Sequence, residues 1–228
     1  SNAQVPSVLE ERHHGHETPP TYYKTNRFTE VFQGIVESYG VAQYHEVNPA
    51  VYTVVTFPFL FAVMFGDVGH GILMALFALW MIMAERRLKR QKLNEFLGTA
   101  FQGRYIIVLM GLFSIFTGFI YNEAFAVPLN IFGSRWRYTD ESMMACGIDN
   151  CDVPSAVMPP LKPYPFGFDP IWKSSQTGLL FFNSYKMKLS IVLGVAQMVM
   201  GICLSYVNAK FFKEPIDIYY VFIPQMIF

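Results

Sequence analysis

Charge is scarce in this sequence. Asp, Glu, Lys and Arg make up 15% of its 228 residues, and the two signs cancel to a net charge of zero. Soluble domains carry about a quarter charged residues, so the deficit argues against an ordinary soluble protein. A neutral chain exerts no net pull on a polyanion. No basic stretch interleaves with aromatics as a nucleic-acid groove requires, so nucleic acid is excluded as a partner. Cysteine is nearly absent, at three residues. That excludes a disulfide-built scaffold, and no CxxC pair offers a metal site. No nucleophile–base pair and no phosphate-binding glycine loop occurs, so the reading expects no catalytic centre, no cofactor and no metal. The first methionine is Met64, and a short apolar run opens near Ile216 and stops at Phe228. Both ends predict a piece of a longer protein.

What the sequence has instead is apolar length. Hydrophobic residues reach 53% and aromatics 17%. The expected fold class is an all-α polytopic membrane protein fragment, a helical membrane bundle preceded by the end of a cytosolic domain. Residues 1–50 are the polar part. His13, His14 and His16 in HHGHETPP resemble a metal-binding tract, but in a polar, proline-ended loop they read as loop residues. Phe28, Phe32, Ile35 and Tyr39 recur at helical spacing and predict a short amphipathic helix closed by Gly40. VAQYHEVNP predicts a strand ending at Pro49. A piece this small hardly makes its own core.

Residues 51–84 are apolar except at FGDVGHG, residues 65–71. As one helix the run would measure about 51 Å, against a hydrocarbon core of about 30 Å. A hairpin of two short helices turning at 66–71 fits better. ERRLKRQK, residues 85–92, directly abuts the second arm with five cations and one acid. That makes 85–103 a cytosolic basic loop by the positive-inside rule. Residues 104–122 form the next membrane helix, with Gly111, Ser114 and Gly118 on one packing face. Residues 123–188, rich in proline and charge up to Lys173, are a luminal loop. Residues 189–209 are a further membrane helix, in which Ser190, Gly194, Gln197, Gly201 and Ser205 form a small-and-polar packing stripe. Residues 210–215, with Lys210 and Lys213, return to the cytosol, and 216–228 start a truncated helix. Cys146 and Cys151 share the luminal loop, in a compartment that permits disulfides, and form the disulfide candidate. Cys203 reads as a small apolar filler.

Four residues carry chemistry at membrane depth or at its edge: Asp67, His70, Glu123 and Arg104. Each is a proton-path candidate, because ionisable groups in membrane segments often serve ion pathways. Each also has a structural reading. Asp67 can cap the second arm with its carboxylate on free backbone N–H groups. His70 can bond locally, and Arg104 and Glu123 can anchor a span at its two interfaces. Gln197 reads as an interhelical hydrogen-bonding residue.

Four stretches then carry a resemblance. PPTYYKTNRFTEVFQGIVESYGVAQYHEVNPAVYTVVTFPFLFAVMFGDVGHG, GRYIIVLMGLFSIFTGFIYNE, YPFGFDPIW and NSYKMKLSIVLG are similar to the a-subunit family of eukaryotic vacuolar-type proton-translocating ATPases. The resemblance runs from about Val5 to Phe228 and is weakest from Ser134 to Lys162. It implies a membrane-sector stator subunit beside a rotating proteolipid ring. A cytosolic domain and peripheral stalks would link it to the soluble ATPase head. ATP hydrolysis would drive protons into the lumen of a vacuole, lysosome, endosome or Golgi compartment, or across the plasma membrane. The family's ring-facing arginine lies beyond Phe228, so the spans here would be outer, supporting helices in contact with membrane lipid and other membrane-sector subunits. In this picture the glycines at 66–71 make a turn near the luminal surface. There Asp67 and His70 find water and backbone partners. Two other classes compete: a stand-alone secondary transporter coupled through Asp67 and His70, and a membrane scaffold without transport.

Overall fold

The computed structural model describes residues 21–90, 94–134, 136–137, 156–157, 164–174 and 178–227. The chain is mostly helical. Helix α1 spans Thr29–Glu37, α2 Ala50–Phe65, α3 Val68–Met83, α4 Glu85–Leu88, α5 Glu95–Gln102 and α6 Arg104–Tyr121. Two short antiparallel ladders follow, β1 Glu123–Ala124 with β2 Val127–Pro128, and β3 Trp136–Arg137 with β4 Ala156–Val157. A 3₁₀ turn at Pro170–Ser174 leads into α7, Gly178–Phe212. The last helical turns cover Pro215–Ile227 and include a π turn at Ile218–Phe222. Helices α6 and α7 are long and apolar enough to cross a membrane, whereas α2 and α3 are apolar but shorter.

The directions of the helices follow from their contacts. Phe59 faces Phe113, Ala62 meets Thr117 and Val63 meets Tyr121, so α2 runs parallel to α6. Val68 lies against Gly118 and Ala75 against Gly111, so α3 runs antiparallel to α6. The chain therefore reverses between Phe65 and Val68. The core continues along α3 through Ala78 and Met81 to Leu88 and Phe101. Lys186 of α7 meets Glu123 just past the end of α6, and Asn208 meets Val47 just before α2. Helix α7 thus runs antiparallel to α2 and α6. Arg86, Arg87, Lys89 and Arg90 follow α3 at the same end of the bundle as Lys210 and Lys213.

Breaking a helix inside an apolar layer strands backbone groups. The last carbonyls of α2 and the first N–H groups of α3 have no helical partner. In lipid each must be satisfied by protein. Helix α6 supplies the carbonyl partners. Thr117 donates its hydroxyl to Ala62 O at 2.9 Å, and Tyr121 donates to Val63 O at 2.8 Å. Asp67 supplies the N–H partner, as N-cap of α3 with extended backbone.

Several sequence expectations are corrected. VAQYHEVNP is irregular rather than a strand: His45 adopts a positive φ of 69° and breaks the extended run. The expected loop 85–103 contains α4 and α5, because Leu88 and Phe101 both have a core to enter. Helix α7 begins at Gly178 rather than at residue 189. The two lysines that bound the uncharged run both fall inside the helix, Lys186 paired with Glu123 and Lys188 exposed. The glycines at 66–71 do not supply left-handed backbone, since neither Gly66, Gly69 nor Gly71 has a positive φ. They supply closeness. A Cβ at Gly66 would meet the Tyr121 ring at 2.7 Å, one at Gly69 the Phe125 ring at 2.5 Å, and one at Gly71 the backbone N of Ile115 at 3.0 Å. His13, His14, His16, Cys146 and Cys151 lie outside the described residues.

Candidate functional site

The reversal at Gly66–Asp67 builds the most polar site inside the apolar part of the chain. Asp67 is 8% exposed. Its Oδ1 accepts from the backbone N–H of Gly69 at 2.8 Å and of Phe125 at 2.9 Å, with His70 N at 3.4 Å. Its Oδ2 accepts from Ala126 N at 3.1 Å and lies 2.9 Å from His70 Nδ1. Backbone N–H groups only donate, so this cradle matches an acceptor-only carboxylate.

The two donors from the far side come from an unusual turn. Phe125 and Ala126 join β1 to β2, and both have positive φ, 51° and 63°. Two such residues in succession make a type I′ hairpin turn, which normally calls for Asn or Gly. Neither Phe nor Ala adopts that conformation cheaply. The turn also points two successive N–H groups in one direction, and Asp67 accepts both. The carboxylate therefore holds three things at once: the N-terminus of α3, the hairpin after α6, and the His70 ring.

His70 lies at the edge of this cradle. Its side chain is half exposed, and its ring sits between Phe65 at 6.1 Å and Phe125 at 5.3 Å. Since Asp67 Oδ2 accepts, the geometry assigns the ring proton to Nδ1, which leaves Nε2 as the free basic nitrogen.

Glu123 sits on the same hairpin. Lys173 Nζ lies 2.5 Å from its Oε1, and Lys186 Nζ lies 3.1 Å from its Oε2. All three side chains are largely buried. Lys186 also lies 4.8 Å from the centroid of the Tyr121 ring. Next to it, Asn122 ends α6 in left-handed backbone, φ 48°, and donates to Phe166 O and Phe168 O at 3.0 and 2.6 Å. Gly167 is required there. Its φ is +72°, and any Cβ would strike the carbonyl of Ile120.

The structure therefore brings together three of the four ionisable candidates and separates the fourth. Asp67, His70 and Glu123 share one end of the bundle. Arg104 begins α6, about 27 Å away by helical rise. Arg104 is 8% exposed and lies between the rings of Phe101 and Tyr105, 4.5 and 4.6 Å from their centroids. It donates through Nη1 to Phe101 O at 2.8 Å, and Nη2 lies 3.5 Å from Glu85 Oε1. Glu85 also meets Lys89 at 2.6 Å and Arg27 at 3.7 Å. Lys89 holds the Glu85 carboxyl below the ordinary glutamate value. Partial burial opposes this, and the charges of Arg104, Lys89 and Arg27 reinforce it.

The two small-residue faces differ. Gly111, Ser114 and Gly118 lie buried against α2, α3 and the turn between them. Ser190, Gly194 and Gln197 are partly exposed, Gly201 and Ser205 exposed, and nothing lies within 4 Å of a Cβ built on Gly194 or Gly201. Cys203 is free and exposed. Sequence reasoning missed Asn122, Phe125, Ala126, Lys173 and Lys186. Asn122 alone had a local signal, an asparagine directly after a helical run. No group of His, Cys, Asp and Glu among the described residues can hold a metal ion.

An apolar hairpin packed on a helix long and apolar enough to cross a membrane fits the class of helical membrane proteins. Comparison with known proteins narrows it. The chain belongs to the V-type ATPase 116kDa subunit family, whose model matches residues 1–228. It is 51% identical, over all of its length, to the V-type proton ATPase 116 kDa subunit a 1 of Mus musculus, of which it covers 28%. It is 53% identical over 93% of its length to the V-type proton ATPase subunit a1 of Arabidopsis thaliana, of which it covers 25%. With the 116 kDa subunit a 4 of Homo sapiens it shares 52% identity over 92% of its length, covering 26% of that protein. The chain thus spans about a quarter of the length of the relatives it matches. These relatives are V-type proton ATPase a subunits, and they give no support to a stand-alone transporter or a scaffold.

Proposed function

We propose that this chain forms the first membrane helices of the stator subunit of a rotary, ATP-driven proton pump. The observation that carries the reading is the roughly 50% identity, across the whole chain, to a subunits of V-type proton ATPases from animals and plants. The architecture supports it. Helices α2 and α3 form a membrane hairpin, α6 and α7 are spans, and residues 21–49 are the end of a cytosolic domain. The basic end, with α4 and Lys210, faces the cytosol by the positive-inside rule. The Asp67–Glu123 end then faces the lumen. The protein sits in the membrane of an acidifying organelle, beside a proteolipid ring, and connects to the soluble ATPase head through the rest of its cytosolic domain.

In this arrangement α2, α3 and α6 are a scaffold. Asp67 and Glu123 are positioning residues: one holds the α3 start on the luminal hairpin, the other holds the α7 start on the same hairpin. His70, with its side chain half exposed, lies at the luminal edge of the Asp67 cradle. The test is affinity purification of the tagged full-length protein from native membranes in mild detergent, followed by mass spectrometry. Proteolipid and soluble ATPase subunits in fixed ratio are expected. Recovery of the chain alone would overturn the reading.

A further inference from the structure

The cytosol-facing end of the bundle carries a second polar site that the proton-pump reading does not use. A cavity of about 790 Å³ opens between α1 and the start of α6. Arg27, Lys89 and Arg104 line it, with Glu30, Val31 and Gly34 from α1. Volumes of this order suit a small organic ligand. The charge in it is unbalanced. A single carboxylate, Glu85, meets all three cations, at 2.6 Å from Lys89, 3.5 Å from Arg104 and 3.7 Å from Arg27. Glu30 adds one further acid to the lining, which leaves the cations one in excess.

Arg104 points to a missing partner. Its side chain is 9% exposed, and its Nε–H has no acceptor among the described residues. A buried guanidinium donor without an acceptor is costly, and its fork geometry matches a phosphate oxygen. The α1 wall is open and mixed, with Val31, Gly34 and Ile35 apolar and Glu30 and Ser38 polar. Val31 and Gly34 face the space from α1, and nothing lies within 4 Å of a Cβ built on Gly34. Three cations beside the aliphatic strip of Val31, Gly34 and Ile35 describe a site for an amphiphile with an anionic head. The cavity sits where the apolar helix α3 gives way to its basic flank, the level at which phospholipid headgroups lie.

We propose that this cavity binds the phosphate headgroup of an anionic phospholipid from the cytosolic leaflet, with Arg104, Lys89 and Arg27 on the phosphate and an acyl chain leaving past Val31 and Gly34. The proposal rests on the membrane reading above. It gives the cytosolic segment a lipid-mediated attachment to the membrane helices, in addition to its protein contacts.

The experiment is native mass spectrometry of the assembled complex, delipidated and then titrated with phosphatidylglycerol or phosphatidylcholine in mixed micelles. Two variants avoid the buried arginine. Gly34→Leu fills open space in the cavity. Arg27→Gln with Lys89→Gln removes two exposed charges. Wild-type complex is expected to retain phosphatidylglycerol in preference to phosphatidylcholine. The double variant should lower phosphatidylglycerol retention about thirtyfold, the scale expected for two surface cations, Gly34→Leu should lower it as well, and both should leave phosphatidylcholine unchanged. Equal retention of both lipids by wild type, or unchanged retention by both variants, overturns the proposal. Displacement of the lipid by millimolar inorganic phosphate makes the site one for a free anion and also overturns it. Extraction of the wild-type chain by an alkaline wash would instead overturn the membrane reading, and the lipid site with it.

Discussion

Helices α6 and α7 are alike in composition and opposite in surroundings. Both are long and apolar enough to span a membrane, and both carry small residues at helical spacing. On α6 these residues are used within the chain. Gly118 admits the backbone of Val68, Gly111 admits Ala75, and Ser114 and Thr117 reach the last carbonyls of α2. On α7 Gly194 and Gly201 face open space, and Ile191, Val192 and Met198 around them are exposed. A small-residue stripe in a membrane helix marks where a second helix can come close. It does not say whose helix. The α6 stripe meets its own hairpin, whereas on α7 no described residue lies close to Gly194, and Gly201 and Ser205 edge a cavity lined by residues from the 23–49 segment.

The comparison can be broken at several points, and the largest effect lies where the two helices are tied together. Glu123 links the end of α6 to the 3₁₀ turn through Lys173 and to α7 through Lys186, both lysines largely buried. Removing one partner of a buried ion pair costs about 3–5 kcal/mol, because the remaining charge is stranded. Glu123→Gln should therefore detach the start of α7, seen as new protease cleavage between residues 164 and 190 in the purified subunit. An intact cleavage pattern would mean that the ion pairs do not hold α7.

The next effect separates the two stripes directly. A side chain at Gly118 would strike the backbone of Val68. Gly118→Leu should lower the stability of the hairpin by about 3 kcal/mol through overpacking. A Cβ at Gly194 meets no described residue within 4 Å, so Gly194→Leu should leave the stability of the isolated subunit unchanged, within about 0.5 kcal/mol. Thermal unfolding of the two variants side by side measures the contrast. Equal shifts would erase the distinction drawn between α6 and α7.

Asp67→Asn keeps the shape of the cap but replaces one accepting oxygen with a donor that faces Ala126 N–H or His70. Loss of hydrogen bonds to a charged group costs about 2 kcal/mol. Reduced assembly, with normal pumping per assembled complex, is the expected outcome. Normal assembly with reduced pumping would instead place Asp67 on the proton path.

The smallest effect is a pH dependence at the other end of α6. The Glu85 carboxyl titrates below its ordinary value of 4.5 because it meets Lys89, Arg104 and Arg27. A lowered pKa gives stability that is complete above the unfolded-state value and is lost as pH falls through the folded-state value. Contacts between α1, α4 and the start of α6 should therefore hold from neutral pH to about 5 and loosen only below the ordinary glutamate range. Hydrogen exchange at residues 85–90 checks this, and Glu85→Gln should remove the acid dependence.

Much of the helical plan was legible because its signals are local. The period of Phe28, Phe32 and Ile35 matches α1, and the apolar run with a break at Gly66–Asp67 matches α2 and α3. Asp67 as a cap could be read from its position before an apolar helix. Other features depend on partners distant in sequence. Nothing near Lys186 says that Glu123 will neutralise it, so hydropathy ended the helix too late at its start. Nothing near Phe125 and Ala126 predicts a type I′ turn, because the carboxylate that holds it belongs to residue 67. The glycines of FGDVGHG read locally as turn formers, but what they supply is close contact with Tyr121, Phe125 and Ile115, which no local pattern reveals.

The most direct test of the account is the sidedness of the hairpin end. Single cysteines at Arg87 and at Val127, in full-length protein freed of its other cysteines, can be probed with a membrane-impermeant thiol reagent in sealed vesicles whose cytosolic face is outward. The account predicts labelling at residue 87 without detergent and at residue 127 only after detergent. Labelling of both residues in intact vesicles would put both ends of α6 on one side, and would contradict the membrane hairpin on which the rest depends.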